Sequence, residues 1–162
     1  MLFFRSPKEE PYRTMSLPPQ KFREIVFQLL YSQDFAEADV AESFPFMMEA
    51  LKVTRRSVAE AHQKTLRVTE RMAEIDDQIR HASTEYSFDR ISRVERNVLR
   101  LGVFELLFEP DLPQKVAIAE AIRLCRKFGT PESSHFVNAI LDEIYKRVVP
   151  LGAESANQPQ LV

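Results

Sequence analysis

The chain has 162 residues, 44% of them hydrophobic, with a formal net charge of −2. That length supports one well-buried core. The charge carries no overall signature of a nucleic-acid binder, so any such binding has to come from a local patch. Only three glycines and no tryptophan occur among many Leu, Glu, Arg and Ala residues, which predicts an all-α chain.

Residues 1–20 contain Pro7, Pro11, Pro18 and Pro19 and no helical period, so a flexible N-terminal extension is expected there. From Lys21 the residues Phe22, Ile25, Val26, Leu29 and Leu30 recur at helical spacing, predicting a first helix to about Phe35. Asp39 and Ser43 are candidate caps for a second helix with Phe44, Met47, Met48 and Leu51 inward and Pro45 in its first turn.

Val58, Ala61, Thr65, Val68, Met72, Ile75 and Ile79 alternate steps of three and four, predicting one long helix. Arg56, Lys64, Arg67 and Arg71 line another face of it, read as solvated rather than as a phosphate track. Ser92 and Glu95 have capping-box spacing and open a helix that is apolar almost all round, the expected centre of the fold.

Pro110 and Pro113 bracket a turn. A helix from about Gln114 to Phe128 follows, with Val116, Ile118, Ala121, Ile122, Cys125 and Phe128 inward and Gly129 as its left-handed terminator. Thr130, Pro131 and Glu132 then cap a last helix whose apolar side is Phe136, Val137, Ile140, Leu141, Ile144 and Val148. One helical domain over 21–149 is expected, with a disordered tail over 150–162.

Ser133, Ser134 and His135 look like a nucleophile and base, but neighbours on a helix point about 100° apart and cannot face one another. Three scattered histidines and the lone Cys125, read as a core residue, have no metal-ligand spacing. Three glycines cannot form a phosphate cradle. No cofactor or metal is expected, nor enzymatic activity.

No apolar run approaches the ~20 residues of a membrane span, and the single cysteine suits a reducing compartment, so a cytoplasmic location is expected. A helix start still offers unpaired N–H groups to a phosphate or a base edge. Lys127, Phe128, Ser133, His135 and Phe136 around the last turn would supply a cation, hydroxyls and aromatic faces for single-stranded RNA. Core packing and helix capping account for the same residues equally well.

Three stretches carry a resemblance: KFREIVFQLLYSQ at 21–33, ISRVERNVLRLGVFELLFEPDLPQKVAIAEAIRLCRKFG at 91–129 and FVNAILDEI at 136–144. In order, spacing and turn prolines they resemble the bacterial transcription antitermination factor NusB family. The resemblance runs from Lys21 to Ile144 and is most specific in the second half. It implies a helical bundle of two packed three-helix subdomains, without a sheet and without enzymatic activity. It also implies binding of the boxA element of ribosomal RNA operon transcripts together with NusE, a small-subunit ribosomal protein, within the RNA polymerase complex.

Carried over by position, the implied RNA surface is Lys21, Arg23, Tyr31, Lys127, Phe128, Glu132, Ser133, His135 and Phe136. Asp89 and Glu95 fall where acidic family residues meet basic NusE.

The chain departs from the family in four places. Only Lys21 and Arg23 stand where an arginine run is usual, which predicts weaker and less salt-dependent RNA binding. Tyr86 replaces a common tryptophan, Ala119 a common asparagine and Ala139 a common glycine. The alternative is a helical protein adaptor that has lost RNA binding along with the arginine run. A similar domain is fused to ribosomal RNA cytosine methyltransferases, but an enzyme of that kind is the least expected reading, since the few residues after the domain would not hold their cofactor-binding half.

Overall fold

The structure is a computed structural model that describes residues 17–35 and 39–148. The expected tail over 150–162, and the extension up to residue 16, lie outside the described residues. Among the described residues there are seven α-helices, two short 3-10 turns and no strand.

The first helix, α1, spans Pro19–Gln33 and starts two residues before the expected Lys21. Pro19 fits because its missing N–H would have no partner in a first turn. Ile25, Val26, Leu29 and Leu30 are fully buried beneath it.

Asp39 caps the 3-10 turn Val40–Ser43, its Oδ1 accepting from Ala41 N at 3.0 Å. Ser43, the other expected cap, instead donates its Oγ to Val40 O. In α2, Phe44–Leu51, Phe44 and Met47 face the core while Met48 and Leu51 sit at its rim.

The single long helix expected next is two, α3 at Arg55–Glu70 and α4 at Met72–Ala82, broken at Arg71 (φ −102°, ψ 10°). The apolar stripe runs straight through the break, with Val58, Ala61, Val68, Ile75 and Ile79 all fully buried. The break is therefore a matter of packing. α3 lies against α1 and α2 whereas α4 lies against two helices further along the chain, and one straight rod cannot follow both.

Arg71 settles at the joint with its guanidinium 4.9 Å from the Phe108 ring and 3.1 Å from Glu74. The basic stripe is not uniformly solvated either. Lys64 is buried against Glu109 at 3.2 Å and Glu105 at 3.9 Å.

A 3-10 turn, Phe88–Arg90, leads into α5, Arg93–Phe108. Ser92 Oγ accepts from Glu95 N at 3.2 Å, half of a capping box. Val98, Leu99, Leu101 and Val103 are 0–1% exposed, so α5 is the central helix. Truncating such a side chain to Ala costs about 2–5 kcal/mol.

α6, Gln114–Phe128, turns a different face inward from the one expected. Ala117, Ala121, Leu124 and Cys125 are buried, while Val116 is 40% exposed and Ile118 and Ile122 are at the rim. Small residues set this rotation. A Cβ on Gly102 of α5 would stand 3.7 Å from that of Ala121, so the two backbones approach closely and the larger side chains are displaced outward.

Gly129 is not a left-handed terminator, since its φ is −118° and ψ −145°. It is needed for closeness instead. An added Cβ would meet the Cys125 carbonyl oxygen at 3.0 Å and Val94 Cγ1 at 3.3 Å. Thr130 Oγ1 then accepts from Ser133 N at the start of α7, Pro131–Val148, which buries Val137, Ile140, Leu141 and Ile144.

α1, α2 and α3 form one three-helix group and α5, α6 and α7 the other, with α4 laid on the second group and α1 joining the two by packing on α5. Buried polar bonds fasten this junction. Arg100 of α5 makes a two-pronged pair with Asp76 of α4 at 2.9 and 3.0 Å and reaches Asp34, past the end of α1, at 3.2 Å. Asn97 adds a bond to Asp34 at 2.6 Å.

Candidate nucleic-acid interface

The α6–α7 turn lies between two open hollows. The first, of about 360 Å³, is lined by Phe27, Gln28, Tyr31 and Ser32 of α1, Val94 of α5 and Phe128 of α6. The second, of about 270 Å³, is lined by Tyr86, Arg90, Ile91, Glu95, Glu132, Ser133 and Phe136. Gly129 keeps them close, because its missing side chain lets the turn settle against Val94 on one side and Ser133 on the other.

Tyr31 and Phe128, far apart in sequence, therefore share a wall, and Phe27 stacks between them with centroid distances of 6.0 and 4.9 Å. Phe136 lines the second hollow and meets Tyr86 edge-on at 6.0 Å. Glu132 and His135 are exposed on the first turn of α7, and Lys21 is half-buried at the start of α1. Asp89 is exposed on the 3-10 turn before α5.

Arg23 stands apart from the other expected RNA-surface residues. It is 8% exposed, and its Nε donates to both carboxylate oxygens of Glu105 at 3.0 and 3.2 Å. Burial pushes the Glu105 carboxyl up even though Lys64 and Arg23 pull it down. Arg23 is thus committed to the interior, where helix spacing alone could not have placed it.

Ser133 is buried too, and its Oγ donates to Glu95 Oε1 at 3.0 Å. The Ser133 hydroxyl and the Glu95 carboxylate hold the two helix starts together at the floor of the second hollow.

Lys127 is half-exposed and donates to Glu24 Oε2 at 2.9 Å, while Arg123 donates to Glu24 Oε1 at 2.7 Å. Burial alone would push the Glu24 carboxyl up. Hydrogen bonds and charge from Arg123 and Lys127 outweigh it and hold the group below its ordinary value. Arg123 and Lys127 are four residues apart on one face of α6, a spacing legible in the sequence. Their shared acceptor on α1 was not. Cys125, buried behind them, has its thiol pushed up to about 12 by burial and by the Glu95 charge.

Among the described residues no group of His, Cys, Asp and Glu could hold a metal ion. No described helix is long and apolar enough to cross a membrane.

The sequence profile of the NusB family matches residues 20–146, nearly all of the helical body. The chain belongs to the NusB family. The transcription antitermination protein NusB of Chlamydia pneumoniae is 39% identical over 128 residues, covering 79% of this chain and 80% of that protein.

Among solved structures, Thermotoga maritima NusB superposes with a TM-score of 0.72 at 34% identity, over 87% of this chain and 99% of that one. A crystal structure of the antitermination factors NusB and NusE in complex with double-stranded RNA superposes with a TM-score of 0.67 at 28% identity, over 85% and 98% of the two chains. Both hollows and the turn between them fall within the NusB match, since their lining runs from Phe27 to Phe136.

Proposed function

We propose that this protein is a transcription antitermination factor that binds the boxA element of ribosomal RNA operon transcripts together with the NusE partner, in the RNA polymerase elongation complex of the cytoplasm. It acts by binding and carries out no catalysis. The observation that carries this reading is the pairing of an aromatic hollow with a half-exposed lysine beside it, next to a second hollow floored by carboxylates.

Tyr31 and Phe128, both part-exposed around the buried Phe27, offer ring faces on which an unpaired base can stack, and Lys127 stands at that edge to meet a phosphate. Lys21, Glu132, His135 and Phe136 complete the RNA surface around the turn. Asp89, with Glu95 behind it, gives the acidic contact for basic NusE. Arg23 and Ser133 support this surface from within. The relationship to the NusB–NusE complex with RNA supports both partners together.

The test is fluorescence anisotropy of a labelled single-stranded boxA RNA with the full chain, with and without NusE, at two salt concentrations. Salt-sensitive binding that tightens when NusE is added is expected. Binding of NusE without RNA at either salt would make the protein an adaptor and overturn the RNA reading.

A further inference from the structure

The aromatic wall does not stop at Tyr31. Phe27, Tyr31 and Phe35 follow one another at four-residue spacing, so they rise along one face of α1 and past its end. Tyr31 and Phe35 have centroids 4.9 Å apart, which continues the row that begins with Phe128 and Phe27.

At its far end Phe35 is 57% exposed, an unusual position for a phenylalanine that serves only the core. Directly over its ring, 4.0 Å from the centroid, lies the guanidinium of Arg93. This is the shortest of the cation–ring contacts among the described residues.

Arg93 is exposed on the first turn of α5, where the helix dipole disfavours a cation. Among the described residues it makes no ion pair. The nearby carboxylate of Asp34 is taken up by Arg100 and Asn97. Local helix electrostatics give Arg93 no reason to be there. An exposed guanidinium seated over a ring is a surface on which a nucleobase stacks, with N–H groups left at its edge for a phosphate.

We propose that Phe35 and Arg93 form a second stacking platform that takes a further base of single-stranded RNA, beyond the hollow at Phe27, Tyr31 and Phe128. The platform rests on the RNA reading above and extends it along α1. The Tyr31 and Phe35 rings lie 4.9 Å apart, so a strand whose base occupies the hollow can place an adjoining base on Arg93. Phe35 acts by seating the guanidinium, and Arg93 makes the contact.

The test measures the affinity of the full chain for labelled single-stranded boxA RNA with Arg93→Ala, Arg93→Lys, Phe35→Ala and Tyr31→Ala. The same RNA is also used with single abasic positions walked along it. Arg93 and Phe35 are exposed, and thermal melts confirm that each variant folds.

Arg93→Ala should weaken binding on the order of tenfold, the scale of one lost stacked base. Arg93→Lys should keep the salt dependence and still lose most of that affinity, because an ammonium does not stack. One abasic position should make the RNA insensitive to Arg93→Ala. If Tyr31→Ala weakens binding while the Arg93 and Phe35 variants match wild type, the platform is overturned and the RNA reading stands. Loss of NusE binding without any change in RNA affinity would make it a protein contact and also overturn the proposal. If the wild-type chain binds no RNA, both readings fall together.

Discussion

Ser133 Oγ donates to Glu95 Oε1 at 3.0 Å, which fastens the first turn of α7 to the first turn of α5 beneath the second hollow. Ser133 is 5% exposed, and its hydroxyl serves as a structural tie. Ser133→Ala should cost about 1.5–3 kcal/mol, the usual net worth of a hydrogen bond to a charged group. Urea unfolding monitored by circular dichroism checks this, and an unchanged midpoint would show that the two helix starts hold together without the tie.

Gly129 and Gly102 should respond differently to alanine. At Gly129 the added carbon meets a backbone carbonyl at 3.0 Å, which cannot move without shifting the turn. At Gly102 the nearest atoms, at 3.0 and 3.1 Å, belong to the flexible end of Leu141, and alanine also improves the helix. Gly129→Ala should lose roughly 1–3 kcal/mol and weaken RNA binding as the hollows move apart, while Gly102→Ala loses less. Equal losses in parallel urea titrations would contradict this account of the turn.

Glu105 holds two buried cations, Arg23 and Lys64. Glu105→Ala leaves Arg23 with only Glu120 at 3.9 Å, while Lys64 keeps Glu109 at 3.2 Å. A loss of roughly 3 kcal/mol is expected from the uncompensated buried charge. A melting temperature within a degree of wild type would mean that the remaining carboxylates suffice.

Glu24 makes stability depend on pH. Its carboxyl is held below the ordinary value of 4.5 in the folded protein, so as pH falls the unfolded chain takes up the proton first. Its contribution is complete above the unfolded value and is lost as pH drops through the lower folded value. Glu105, shifted upward, contributes the opposite slope. The comparison is therefore wild type against Glu24→Gln, in urea midpoints from pH 7 to pH 3. The variant should start lower and fall less steeply below about pH 5; parallel curves would rule out the ion cluster as the cause.

Cys125 should be silent toward a thiol reagent in the native protein. It is fully buried with its thiol pushed up to about 12, so almost no thiolate exists at pH 8. Mixing with a chromogenic disulfide should give a signal only after denaturant is added. Rapid labelling of the native chain would reveal opening between α6 and α7.

The sequence by itself determined the helices, most of the buried apolar residues and the family, because these depend on local propensity, on side-chain period and on the order of motifs along one strand of text. The stripe from Val58 to Ile79 and the apolar surround of Val98 to Val103 could be read that way.

The tertiary structure alone decided where a uniform pattern had to break and which polar groups pair. Arg71 interrupts a perfect period because α3 and α4 have different neighbours. Val116 is turned out because Gly102 and Ala121 let two backbones approach closely. Arg23 faces Glu105 across 82 residues and Lys127 faces Glu24 across 103, and no local rule selects one distant carboxylate over another. Whether a charge meets a ligand or a buried partner is set by the electrostatics of the assembled bundle, and that exists only once the helices have packed.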